Sequence, residues 1–236
     1  MRIIGFSQVS NLIYEVIMIN IFSQIFLFLD KLSVNRFRLV DGAWNIILAL
    51  IPLAIILYLK KYWRETKFNQ FYQKIIALIL GFIWLLFIPN AAYLIVDVRH
   101  LVDYCPINSP DRVCPENAWM ILFFFTYAIV GWAIFYYSIR LMRDFLAVIF
   151  NKLIAKIFVA CLIPTMSLGI LLGLLNRWNS WDFFIFPRSL VNDIIIYFTL
   201  RDYFIDWLIF TVFFYILYLA GNLLFRKDFY GLFKNR

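Results

Sequence analysis

Charge is the first thing this sequence is short of. Only 15% of its 236 residues are charged, 64% are hydrophobic, and the mean hydropathy is +0.84. A soluble domain is nearer a quarter charged and half apolar, so a water-soluble globule is excluded and a polytopic membrane protein takes its place. Histidine is scarcer still. His100 is the only one, which excludes a metal centre built on three histidines. There is no P-loop, no C-x-x-C pair and no Ser-His-Asp motif, so ATPase, thiol-redox and hydrolase readings have no positive feature behind them. Internal repeats, glycine-rich loops and low-complexity linkers are also missing, which leaves one domain over residues 1–236. The three cysteines divide by context: Cys161 lies in an apolar run, whereas Cys105 and Cys114 share one polar loop.

What the chain has in quantity is aromatic residues: 27 Phe, 14 Tyr and 8 Trp. That many suit lipid-facing surfaces and interfacial belts. The net charge of +8 does not indicate nucleic acid, because the basic residues sit in short loops between apolar runs rather than on one soluble face. The lipid bilayer is the implied partner. No cofactor is indicated, and any small-molecule or protein partner stays unnamed.

The expected architecture is all-α with six membrane spans, at 9–29, 44–59, 75–96, 118–138, 153–175 and 204–225, each near the ~20 residues that cross a bilayer. The first is the most polar and holds Glu15. The N-terminus does not read as a cleavable signal, because Asn11 and Glu15 interrupt its apolar core. A further stretch at 187–200 opens on proline and mixes Asn192 and Asp193 with Ile194 to Ile196, as an interfacial helix would. Counting Lys and Arg, 14 fall on the side of the two termini and the even loops against 8 on the other side. The positive-inside rule then places both termini in the cytoplasm. Cys105 and Cys114 would face the oxidising side and are expected to form a disulfide.

The stretch 84–101, WLLFIPNAAYLIVDVRHL, carries the most chemistry. Pro89 removes a backbone donor and is expected to kink the helix. Beyond it Asn90, Tyr93, Asp97 and His100 share one helix face. Asn45 opens the second span on the same membrane side, and Arg177, Asn179 and Asp182 follow the fifth. These residues are the candidate ligand-binding set, with Asp97 or His100 expected within reach of Asn45, Arg177, Asn179 or Asp182. Asp97, His100 and Asp182 form a weak metal set, and an enzyme could use Asp97 and His100 as an acid/base pair. The plainer reading is that such residues only mark helix ends. In the fifth span Cys161, Thr165, Gly169 and Gly173 make a ladder of small residues for close helix approach.

The pieces AWNIILALIPL (43–53), WLLFIPNAAYLIVDVRHL and GLLNRWNSWDFF (173–184), in this order, resemble the bacterial family called "domain of unknown function 1361", over about 40–225. Its members carry a FLPNAPY-like motif, then a TDLIHL-like one, then RWNSWD. This chain has Ala92 where the family often has proline and Val96 where threonine is usual. The resemblance implies a multi-pass protein of the bacterial cytoplasmic (inner) membrane and no particular activity. Three roles therefore stay open: binding or transport of an ion, lipid head group or small molecule; a structural or assembly role; and an enzyme.

Overall fold

The computed structural model describes residues 33–34, 37–101, 119–179 and 181–225. The expected span at 9–29 with its Glu15, the Cys105–Cys114 pair and the His100 side chain lie outside the described residues. A two-residue antiparallel pairing, β1 (Ser33–Val34) with β2 (Phe37–Arg38), precedes a set of helices. Among the described residues there follow α1 (Leu39–Thr66), α2 (Phe71–Val96), the 3-10 turn Asp97–Leu101, α3 (Trp119–Ile149) and α4 (Lys152–Leu175). Then come a single-turn helix α5 (Asp182–Ile185), α6 (Pro187–Thr199) and α7 (Arg201–Leu224).

Five of these, α1 to α4 and α7, are long and apolar enough to cross a membrane. Their outward residues are themselves apolar, for example Leu78, Leu122, Phe125 and Leu223, each more than 60% exposed. Water would not tolerate that surface, and hydrocarbon does. Local signals set the ends. The Asn151 side chain accepts from the Ile154 amide at 2.8 Å and starts α4, a standard N-cap. Gln70 and Gln73 bond reciprocally at the start of α2.

Two helices outrun their expected spans the most: α1, expected at 44–59, runs from Leu39 to Thr66, and α3 overruns further at its C-terminal end. The fourth span was expected to stop at Ser138, but α3 continues to Ile149. Arg140 and Arg143 are therefore helical rather than loop residues. A reading of hydropathy stops at the first charge, whereas a helix stops only where its backbone bonding ends.

The core is built on α2 and α3. Trp84, Ile88, Ala91 and Leu94 of α2 meet Phe124, Phe135 and Ile139 of α3, with Ile56 of α1, Ile163 of α4 and Phe214 of α7 closing around them. Inside it the Trp84 indole donates to the Ser138 hydroxyl at 3.0 Å, and both residues are fully buried. The small-residue ladder of α4 packs only at its upper half. A Cβ on Gly169 would lie 3.2 Å from Pro89, and one on Gly173 3.8 Å from Tyr93. Cys161 and Thr165 are exposed instead, because the packed face of α4 is Leu162, Ile163, Met166 and Ile170.

Pro164 leaves the carbonyl of Ala160 without its helical donor. The Tyr215 hydroxyl of α7 fills that place at 2.5 Å, and the Trp207 indole donates to the Pro164 carbonyl at 3.0 Å. The Tyr215 hydroxyl of α7 thus stands in for the donor that the proline lacks, and Trp207 adds a second bond between the two helices. Tyr215→Phe is expected to cost about 1 kcal/mol. In a Pro164→Ala background the same change should cost almost nothing, because alanine returns an N–H to the Ala160 carbonyl. A double-mutant cycle of unfolding in detergent measures the coupling, and equal costs in both backgrounds would refute the account.

Candidate functional site

At the end of the bundle where α2 finishes, Asp97 caps the helix and opens the 3-10 turn. It is 4% exposed. The Asn45 amide of α1 donates to its Oδ2 at 3.2 Å, across 52 residues of sequence. Tyr127 of α3 joins them: its hydroxyl interacts with both Asn45 and Asp97 and donates to the Gly42 carbonyl at 3.3 Å. Three helices therefore surround one buried carboxylate. Such a group is costly to enclose unless hydrogen bonds hold it, and here the amide and the phenol adjoin it.

The α4 end approaches the same turn by another route. Arg99 reaches across to donate to the Leu174 carbonyl at 3.2 Å and to the Tyr93 hydroxyl at 2.8 Å. Arg177, at a positive φ of 60°, bears electrostatically on Tyr93 as well. That left-handed conformation usually falls to glycine. Here it turns the chain so that the Trp178 amide returns to the Leu172 carbonyl at 3.2 Å.

The remaining candidates turn inward on their own segments. Asp182 accepts from the Asn179 amide backbone at 2.7 Å and from its side chain at 3.2 Å, a local turn that needs no distant partner. Asn90 donates back to the Phe87 carbonyl at 3.2 Å. Of the anticipated contacts across segments, then, the structure shows Asp97 with Asn45; Asp182 bonds Asn179 of its own segment instead, and it is Arg99 that reaches across to the α4 end. Among the described residues no three His, Cys, Asp or Glu side chains gather as a metal site would require.

Two functional-looking groups were missed from sequence. Asp193 of α6 accepts from the Trp178 indole at 2.6 Å and the Asn176 amide at 3.1 Å, while Tyr197 donates to Asn176 at 3.3 Å. Tyr197 is 1% exposed; burial first, then Tyr203, Asp193 and Asp206, push its hydroxyl up to about 12, so it stays a neutral donor. Its i−3 and i−7 neighbours Ile194 and Leu190 pack with it around Leu171, Leu172 and Trp207. The second group lies at the opposite end. Arg140, 7% exposed, donates to the Tyr136 hydroxyl at 3.1 Å and the Phe225 carbonyl at 3.0 Å. Arg143 is paired with Asp144 at 2.7 Å and bonds the Tyr218 hydroxyl at 3.0 Å. The spacing Tyr136, Arg140, Asp144 on one helix face was the available signal.

A family model described as "Protein of unknown function (DUF1361)" matches residues 44–219. No curated protein and no solved structure matches the chain.

Proposed function

Because the chain belongs to the DUF1361 family, whose description assigns no activity, we propose its role from its own geometry: it binds a small cation or cationic group at the Asp97 end of the bundle. The proposed setting is the bacterial cytoplasmic membrane, with both termini in the cytoplasm, a sixth span at 9–29 and α6 lying at the interface. The observation that carries this reading is Asp97 itself, a 4% exposed carboxylate flanked by Asn45 and Tyr127 from two other helices. Ionisable groups enclosed inside a membrane bundle are rare and point to a functional site by default, and Asp97 is so enclosed although it caps its helix. A carboxylate offers only acceptors when ionised, so a positive occupant fits it.

The test is thermal unfolding of the purified protein in detergent with Na⁺, K⁺, Mg²⁺, Ca²⁺ and choline. A ligand at 100 times its Kd stabilises by about 2.7 kcal/mol, a shift of several degrees that should vanish in Asp97→Asn. No shift in the wild-type protein across this set overturns the reading. A structural role is the second reading, favoured by the bond from Arg99 to the Leu174 carbonyl and by the anchoring of α6 through Asp193. It predicts that Asp97→Asn and Asn45→Ala lose folded protein with no ligand present.

A further inference from the structure

The RWNSWD stretch (177–182) runs into four consecutive apolar residues, Phe183, Phe184, Ile185 and Phe186, and each is at least 41% exposed, Phe184 65%. Their depth can be read against α2. A Cβ on Gly173 would lie 3.3 Å from the Trp178 carbonyl and 3.8 Å from Tyr93, so Trp178 stands level with Tyr93. Five residues later the rings of Phe183 and Phe184 pack edge-on against Phe82, at 5.8 and 6.3 Å between centroids. Phe82 precedes Tyr93 by eleven positions, about 16 Å down the helix at 1.5 Å per residue. The chain after α4 therefore turns back along the membrane-spanning surface of α2 instead of rising away from it.

Irregular backbone enters hydrocarbon only if its polar groups are satisfied. Here the amides of Asp182, Phe184 and Phe186 donate to the carbonyls of Asn179, Trp181 and Asp182 at 3.0, 3.0 and 2.8 Å. Position 187 is proline and has no amide to satisfy. The Asp182 carboxylate is held by Asn179 twice over. Exposed apolar residues also occur on α2 at Leu78, Ile79 and Phe82, the last in contact with both rings, and on α6 at Val191, Ile195 and Phe198.

We propose that residues 183–186 form a wedge inserted among the phospholipid acyl chains of the leaflet on the Asp97 side, with lipid as its partner. The Asn179–Asp182 turn is the polar clasp that lets the wedge descend. Nothing in this depends on what Asp97 binds.

The test places a nitroxide at position 184 of the full chain, through a ketone-bearing amino acid so that the native cysteines are left alone, in liposomes of phosphatidylethanolamine and phosphatidylglycerol. Power saturation compares collision with oxygen, enriched in hydrocarbon, against a water-soluble nickel chelate. Labels at Leu122, exposed on α3, and Asn69, exposed in the loop between α1 and α2, set the lipid and water limits. The expected result is oxygen contact at 184 matching 122. Nickel contact matching 69 would place the segment in water and overturn the proposal. Protection from both reagents would mean a protein surface, such as a second copy, covers it, and would overturn it equally. If a label at 184 prevents folding, Ile185 reads the same prediction.

Discussion

Alanine in place of Gly131 is expected to destabilise the folded bundle by about 1–3 kcal/mol, the range for forcing an extra methyl into a packed interior. At this position α3 runs against α2 so closely that a Cβ would stand 2.5 Å from the Leu94 Cβ and 3.1 Å from the Ala91 carbonyl. Both are fixed atoms next to or in the backbone, so no flexible side-chain tip can give way; the helices must part. Separation would also loosen Trp84 from Ser138, which lies about two turns further along the same face of α3. Leucine at 131 should leave no folded protein. Gly81 is the control, since a Cβ there would meet nothing within 4 Å. Gly81→Ala should be neutral or stabilise by up to about 1 kcal/mol through helix propensity alone. Denaturation of both variants in the same detergent compares them, and equal behaviour would refute the close approach.

The second large effect is expected at the opposite end. Arg140→Met should cost about 2–3 kcal/mol, in the range for hydrogen bonds to charged groups. It strips a donor from the Phe225 carbonyl and the Tyr136 hydroxyl and a counter-charge from Asp144, 3.9 Å away. Asp144 is 39% exposed, so water limits the electrostatic part of the loss. Lysine should recover only part of it, because a single ammonium cannot serve these acceptors with the guanidinium's planar fork. The readout is unfolding in detergent together with protease sensitivity just beyond Phe225, which should rise in Arg140→Met before the bundle itself melts. Wild-type protease resistance there would remove Arg140 as the anchor of the last span.

Much of the architecture was readable because apolar runs of span length have one common cause. The expected 153–175 and 187–200 coincide with α4 and α6 to within one residue, and 204–225 with α7 to within three. Two helices, α1 and α3, outrun their expected spans the most, and α3 is the informative one. Its last eleven residues carry Arg140, Arg143 and Asp144, and a transfer argument treats charge as an end. The helix carries these charges onward because Tyr136, Tyr218 and the Phe225 carbonyl receive them. The Asn45–Asp97 contact followed from placing both residues on one membrane side. Tyr127 did not, since nothing separates one tyrosine from thirteen others until a neighbour is known. Asp182 went astray for the opposite reason. Three residues from Asn179, it had a partner close at hand, and local turns take precedence over distant clusters when the geometry suits them.

The bond from Tyr215 to the Ala160 carbonyl also bears on how the chain is made. A membrane inserts its spans in sequence, and α4 is complete well before α7 has been synthesised. Until then α4 carries an acceptor, opened by Pro164, whose donor in the folded bundle comes from another helix. Release of α4 into free lipid is disfavoured for that interval, and the insertion machinery has a physical reason to retain it. Tyr215 arrives some fifty residues later and supplies the donor. The proline thereby ties the completion of α4 to the docking of α7.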